Sequence, residues 1–110
     1  MNTITTHVLD LSRGEPAARI EVRLECRAGD GDSWQLLAQA ATDDDGRVRD
    51  WPDAPTASAG TYRLTFATAE RFRESFYPEI SVTFQVKDAD QRYHVPLLLS
   101  PFGYTTYRGS

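Results

Sequence analysis

The chain has very few of the residues from which disulfide-linked, thiolate-metal and membrane-spanning structures are built. Its single cysteine, Cys26, excludes a disulfide within the chain and any zinc site made from several thiolates. No apolar run approaches the roughly 20 residues of a membrane-spanning helix, and no basic-then-apolar leader opens the sequence. These absences predict a cytoplasmic protein without a membrane partner.

Clusters of positive charge are missing as well. Lys and Arg number 12 against 16 Asp and Glu, which gives a formal net charge of −4. Nucleic-acid binding requires a basic surface that neutralises phosphates, so we expect no nucleic-acid partner. The composition, 40% hydrophobic and 25% charged, is typical of a folded globular protein. Residues 1–110 are enough for one domain with a single core, and too few for two ordinary domains.

Alternation of apolar and polar residues is the feature that the chain has in abundance. In the clearest run, Arg19–Arg27, apolar side chains at even positions alternate with charged side chains at odd positions. This period of two is typical of strands with one buried face and one face in water. Further strands are predicted at Ile4–Leu11, Trp34–Ala41, Arg47–Arg49, Tyr62–Phe66, Ile80–Val86, Tyr93–Leu99 and Tyr104–Arg108. Seven or eight short strands in such a series predict an all-β sandwich of two sheets.

Ala69–Phe76 is the one segment that interrupts the alternation. Phe72 and Phe76 are four residues apart, the spacing that puts two side chains on one face of a helix. Pro78 follows, and proline commonly ends a helix. The segment therefore predicts one short helix of one or two turns.

The two histidines are the first candidates for chemistry. His7 and His94 each lie in a predicted strand, on the face opposite that strand's main apolar series. One interpretation is that both are ordinary core or surface residues. The other is that both faces belong to one cleft, where a histidine near neutral pH acts as a general base. A metal site is disfavoured because neither HxH nor HxxxH spacing occurs.

The last stretch, Tyr93–Ser110, is unusually apolar and aromatic for the end of a sequence. Pro96 interrupts its first strand and predicts an edge or a local break in the ladder, because proline has no N–H to donate. Leu97–Leu99 places apolar side chains on both faces of that strand. Burial on both faces in a domain this small predicts an interface between subunits.

Five blocks of sequence carry a resemblance to a known family. They are Thr5–Asp10 (TTHVLD), Gly14–Ala17 (GEPA), Thr42–Arg47 ending in DGR, His94–Pro101 (HVPLLLSP) and Tyr107–Ser110 (YRGS). Together they resemble the transthyretin-like family of 5-hydroxyisourate hydrolases, in order and over nearly the whole chain.

The resemblance implies a transthyretin-like sandwich that hydrolyses 5-hydroxyisourate to 2-oxo-4-hydroxy-4-carboxy-5-ureidoimidazoline without metal or cofactor. It implies a homotetramer, a dimer of dimers, with active sites in the channel where the dimers meet. The catalytic residues that it implies are His7, Arg47, His94 and Ser110. The substrate-binding residues that it implies are His7, Arg47, Tyr107, Arg108 and Gly109.

Two other functions stay open at this point. A sandwich of this family could carry a small aromatic ligand in its channel without chemistry. It could also serve only in protein interaction. Both histidines and the YRGS ending favour the enzyme, because a carrier has no need of a base.

Overall fold

The computed structural model describes residues 3–29, 31–52 and 58–110. Those residues form nine strands, which confirms the all-β prediction. They are β1 (Ile4–Asp10), β2 (Glu15–Pro16), β3 (Glu21–Arg27), β4 (Gln35–Ala41), β5 (Arg47–Val48), β6 (Gly60–Ala67), β7 (Glu79–Val86), β8 (Tyr93–Ser100) and β9 (Gly103–Thr106). In this part of the chain, no helix has the length and hydropathy to cross a membrane.

The strands form two sheets. One, here called the mixed sheet, has the order β2-β1-β8-β9, with β5 also paired to β1. The other, here called the antiparallel sheet, has the order β4-β3-β6-β7. The pairing of β1 with β8 is parallel and runs over seven residue pairs, from Ile4↔Tyr93 to Asp10↔Leu99. Strands β1 and β8, from opposite ends of the chain, therefore lie side by side at the centre of the mixed sheet.

The core lies on the inward face of these sheets, as the period of two predicts. Strand β1 buries Ile4, Thr6, Val8 and Asp10, and leaves the residues between them partly exposed. Strand β8 buries Tyr93, Val95, Leu97 and Leu99. From the antiparallel sheet, Val22, Leu24, Leu64 and Phe66 complete one apolar cluster. Each such side chain stabilises the fold by about 1.5–3 kcal/mol when fully buried. The odd-numbered residues of β1 and the even-numbered residues of β8 thus face outward.

The helix predicted at Ala69–Phe76 is wrong, because the described residues there form turns. Backbone groups that a helix would pair internally form hydrogen bonds with other segments of the same chain and with nearby side chains. The Phe76 N–H donates to the Pro101 carbonyl at 2.8 Å, and the Ser75 hydroxyl donates to the Thr68 carbonyl at 2.9 Å. Serine and threonine commonly compete with helical bonding in this way. Phe76 is consequently 66% exposed instead of sharing a buried face with Phe72.

The first half of β4 also departs from the simple alternation. The register against β3 shifts between Leu24 and Glu25, so Leu36 is 55% exposed while Ala38 is buried. An extra residue of this kind is a β-bulge. It moves the side chains that precede it in the strand to the opposite face of the sheet. Trp34, the first residue of the strand predicted at Trp34–Ala41, lies just before β4, and two guanidinium groups lie against its ring. Those of Arg27 and Arg63 lie 4.6 and 4.2 Å from its ring centroid.

Candidate active site

Parallel pairing of β1 with β8 brings the two histidines to one surface. Thr5 is the partner of His94, and His7 is the partner of Pro96 two positions further along. All four side chains belong to the outward face of the mixed sheet. His7 and His94 are therefore diagonal neighbours on one surface of the sheet.

Arg47 reaches the same surface through β5, whose register pairs His7 with Arg47. The turn before β5 is held by the Asp43 carboxylate, which accepts the backbone N–H groups of Asp45 and Arg47 at 2.9 Å each. The Asp43 N–H also donates to the Arg47 carbonyl at 2.9 Å. This closed turn fixes the direction in which the Arg47 side chain leaves the strand.

Gly46 makes the turn possible. Its φ is +77°, and its carbonyl accepts the Val8 N–H at 2.7 Å. A Cβ at this position would lie 2.4 Å from the Val8 carbonyl oxygen. Only glycine fits, both for the backbone conformation and for the approach to β1. The glycine of the DGR block therefore holds Arg47 against the strand that carries His7.

A cleft of about 360 Å³ opens on this surface. Arg47, His94 and Ser110 of the predicted site line it. Two further arginines, Arg49 and Arg92, share the lining with Asp50 and with threonines of β1. His7 lies beside Arg47 at the edge of this group and is not among the lining residues. In the described part of the chain, no three His, Cys, Asp or Glu side chains are grouped so that they could hold a metal ion.

The surroundings of both His94 and His7 favour the uncharged ring. Burial, followed by the charges of Arg47 and of His7, lowers the pKa of His94 below its ordinary value. Burial and Arg47 lower the pKa of His7 in the same way, partly opposed by the Asp45 backbone and by the charges of Asp43 and Asp45. Both effects penalise the protonated ring. At neutral pH each histidine thus has a nitrogen lone pair available for a proton.

Contacts on both sides hold the His94 ring in place. Thr5 Oγ1 lies 2.8 Å from its Nδ1. On the tail, the Gly109 N–H donates to the His94 carbonyl at 2.8 Å. A Cβ on Gly109 would lie 2.6 Å from His94 Cδ2, so the absence of a side chain there lets the tail pack directly on the ring.

Pro96 explains the shape of the tail. Strand β9 ends at Thr106, and the ladder returns only as a bridge between His94 and Gly109. Pro96 has no N–H to donate at the intervening pair, and its carbonyl accepts the Thr106 hydroxyl at 2.7 Å instead. The predicted break in the ladder is confirmed, and it lies beside the histidine.

Tyr107 and Arg108 lie in this break and line a second, smaller cleft of about 160 Å³, which His94 also lines. The Arg108 guanidinium donates to Gln91 Oε1 at 3.1 Å and to the Arg92 carbonyl at 3.3 Å. It also stacks on the Tyr93 ring, 4.6 Å from the centroid. Arg108 therefore fastens the tail to the start of β8, while Tyr107 is 55% exposed.

Several lining residues were not among the predicted site residues. Thr5 and Arg49 could have been found from the period of two, because each is two positions from a residue already singled out, His7 or Arg47. Arg92 and Asp50 carry no such signal. Arg92 reaches the cleft because β8 pairs in parallel with β1, and Asp50 because it follows β5, which also pairs with β1. The alternation reveals neither pairing.

Known proteins match this chain along its whole length. The HIUase/Transthyretin family model matches residues 4–109. The chain is 44% identical to the 5-hydroxyisourate hydrolase of Caulobacter vibrioides, covering 100% of both chains. It is 43% identical to that of Mus musculus, covering 97% of this chain and 94% of the mouse protein. It also spans 37% of the length of a bifunctional uric acid degradation protein from Arabidopsis thaliana, at 45% identity.

Solved structures agree with these matches. The 5-hydroxyisourate hydrolase of Klebsiella pneumoniae superposes with a TM-score of 0.81 at 35% identity, covering 100% of both chains. Transthyretin from Sparus aurata superposes with a TM-score of 0.87 at 27% identity, covering 97% of this chain and 96% of that one. The chain therefore belongs to the HIUase/transthyretin family, as its five sequence blocks predicted.

Proposed function

We propose that the chain hydrolyses 5-hydroxyisourate to 2-oxo-4-hydroxy-4-carboxy-5-ureidoimidazoline, a step of urate breakdown. Relatives that match it over nearly their whole length are named 5-hydroxyisourate hydrolases. The chain is accordingly a hydrolase that acts on a small molecule. At the site, one observation carries the proposal. Two neutral histidines lie beside Arg47, whose guanidinium forms no ion pair with any described residue.

The proposed step needs a base and a positive charge. A histidine takes a proton from water as the water attacks a ring carbonyl of the substrate. Arg47 stabilises the negative charge that develops on the carbonyl oxygen, and its planar fork of donors suits such an oxygen. As the carbonyl re-forms, the ring C–N bond breaks, and the protonated histidine returns its proton to the leaving nitrogen. The Ser110 hydroxyl, in the same cleft, orients the water or the ring. Because these side chains supply both requirements, the step as proposed uses no metal and no cofactor.

The tail has two roles in this proposal. Gly109 and Arg108 hold the end of the chain against His94 and β8, which brings Ser110 to the cleft. Tyr107, exposed beside His94, is placed to contact substrate from the second cleft. Its aromatic face suits a planar, purine-derived ring.

We further propose that the chain works in the cytoplasm as a homotetramer, a dimer of dimers. Strands β7 and β9 are the outermost strands of their sheets, and an outermost strand can pair with a second copy. Beside them lies an aromatic patch, here called the edge patch: Phe76, Tyr77, Phe102 and Tyr104. Tyr77 packs edge-on against both Phe76 and Tyr104, at 4.9 and 5.2 Å between centroids, yet all four are exposed. Such a cluster favours burial in an interface.

The alternative is a carrier of a small aromatic ligand without chemistry. A sea bream transthyretin structure in complex with thyroxine has a TM-score of 0.87 to this chain at 28% identity, so the fold is compatible with carriage. A carrier would not require two histidines with lowered pKa values beside an arginine.

The deciding experiment follows the decay of 5-hydroxyisourate made in the cuvette by urate oxidase. We expect the protein to accelerate decay and His94→Ala to abolish the acceleration while keeping its fold. Decay at the spontaneous rate in the presence of folded protein would contradict the proposal and favour the carrier. A His94→Ala variant as active as the parent would remove His94 from the mechanism.

A further inference from the structure

The two ring nitrogens of His94 have different surroundings. Nδ1 lies 2.8 Å from Thr5 Oγ1. Nε2 has no hydrogen-bond partner among the described residues. The contact to Thr5 is set by the backbone, because Thr5 and His94 are partners in the parallel register of β1 and β8. Thr5 therefore meets Nδ1 wherever the two strands pair as they do here.

The ring cannot easily turn over to exchange its nitrogens. Gly109 packs against its Cδ2 side so closely that even a Cβ would lie at 2.6 Å, and the Gly109 N–H is bonded to the His94 carbonyl. Turning the ring would also separate Nδ1 from Thr5. The hydroxyl on one side and the glycine on the other leave one favoured orientation.

A hydroxyl can donate or accept, so the contact alone allows two tautomers. The other lining residues decide between them. Arg47, Arg49 and Arg92 line the same cleft as His94. An unprotonated ring nitrogen is the negative end of the imidazole dipole, and cations favour having that end towards them. Nδ1 is bonded to Thr5, and Nε2 has no hydrogen-bond partner among the described residues, so the tautomer with Nδ1–H donating to Thr5 leaves the free lone pair on Nε2.

We propose that Thr5 is a positioning residue, whose hydroxyl accepts the Nδ1–H of His94 and thereby leaves Nε2 unprotonated for the proton from water. The inference rests on the proposed function for its catalytic consequence. Its structural content, one ring orientation and one tautomer, does not depend on any substrate.

The test compares Thr5→Val, which keeps the shape and removes the hydroxyl, with Thr5→Ser, which keeps the hydroxyl. The matched control is Thr83→Val, the same change at an exposed strand position of β7. In protein labelled with ¹⁵N in its histidines, we expect the wild-type His94 to show a protonated Nδ1 and an unprotonated Nε2. Thr5→Val should give a mixture of tautomers, whereas Thr5→Ser and Thr83→Val should not.

Turnover is measured on the same variants. We expect Thr5→Val to lower kcat by about tenfold or more with KM little changed, as loss of a group that orients a histidine typically does. Thr5→Ser should recover most of kcat. A wild-type spectrum with Nδ1 unprotonated, or a Thr5→Val variant with unchanged tautomer and kcat, would overturn the inference. If the wild-type protein has no turnover, the proposed function fails, while the spectra still decide whether Thr5 holds the ring.

Discussion

At the scale of single residues, Arg47 has two effects that one substitution separates. Its charge lowers the pKa values of His94 and His7, after burial, and it faces the cleft where an oxyanion would form. In Arg47→Gln we expect kcat to fall by about 10²–10³, the usual loss for an oxyanion donor. The base must be unprotonated to act, and loss of the charge raises its pKa. The acid limb of the pH–rate profile should therefore move to higher pH.

Arg73→Gln is the control for that experiment. Arg73 is exposed and lies outside the cleft lining, and its substitution removes the same unit of charge. It should leave both kcat and the acid limb unchanged. If the limb of Arg47→Gln stays where it is in the wild type, neither histidine under the influence of Arg47 is the base.

Gly46 offers a second test at this scale. In Gly46→Ala the new Cβ meets the Val8 carbonyl at 2.4 Å, in addition to the strain of a positive φ. Gly14 has a similar φ of +67° and nothing within 4 Å of its Cβ position, so Gly14→Ala measures the strain alone. We expect Gly14→Ala to cost about 1 kcal/mol of unfolding free energy. Gly46→Ala should cost about 3 kcal/mol or more, by urea denaturation. Equal losses would mean that the turn relaxes away from β1 without penalty.

Much of the site could be predicted residue by residue, and the limits have a physical cause. His7 and His94 were found as histidines within predicted strands, and the role of Arg47 was implied by the resemblance of the DGR block. Strand β1 keeps a strict alternation, and β8 does so except at the buried Pro96. Arg92 was not found, since nothing local shows that β8 lies parallel to β1. The same pairing puts Thr5 on His94, a contact between residues 89 positions apart.

At the scale of elements, most strands agree with the sequence and two details do not. The alternation of β1 and β7 matches burial closely, whereas β6 and β8 also bury one residue of the opposite phase, Thr65 and Pro96. The helix predicted at Ala69–Phe76 was wrong, and Trp34 lies outside the strand that was predicted to begin with it. In both places, contacts with residues distant in sequence determine the structure more than the local spacing of apolar residues does. The contact is with the Pro101 carbonyl in the first place and with two guanidinium groups in the second.

The segment that replaces the predicted helix is fastened by an ion pair. Arg71 Nη2 lies 3.0 Å from Asp10 Oδ2, and the Asp10 side chain is fully buried at the end of β1. Burial alone would raise the pKa of Asp10. Hydrogen bonds from Ser12, Arg71 and the Arg13 backbone outweigh it, together with the Arg71 charge, and lower that pKa. The ionised carboxylate is thus the form that the fold favours.

The pH dependence of stability tests the contribution of the ion pair between Asp10 and Arg71. The pKa of Asp10 is lower in the folded protein than in the unfolded chain. Its contribution to stability is therefore complete above the unfolded pKa of about 3.9. It is lost as the pH falls through the folded pKa. Asp10→Asn should cost about 3 kcal/mol of unfolding free energy at neutral pH, the usual loss on breaking a buried pair. Between about pH 5 and pH 2 the wild type should lose stability more steeply than the variant. Parallel curves would contradict the role given to Asp10.

At the scale of the whole molecule, the two clefts and the edge patch lie on the solvent-exposed surface of the single chain. His94 lines both clefts, and the tail beside it is held by the bridge between Gly109 and His94 and by the contacts of Arg108. Sequence alone indicated an interface at this end of the chain from the apolar run of β8. In the structure, Leu97 and Leu99 of that run are buried in the core of this chain, and the exposed aromatic side chains of the edge patch lie on β9 and in the turns beside it.

Assembly is therefore best tested in the edge patch. Phe102 is 68% exposed, and a charge there would have to be desolvated if the patch is buried between copies. We expect sedimentation to give the wild type a mass about four times that of the 12.4 kDa chain, and Phe102→Glu a smaller species. Leu36→Glu is the matched control, because Leu36 is 55% exposed on β4, at the far edge of the antiparallel sheet from β7. It should remain tetrameric. A tetrameric Phe102→Glu variant would place the interface elsewhere, and a monomeric wild type would rule out the assembly.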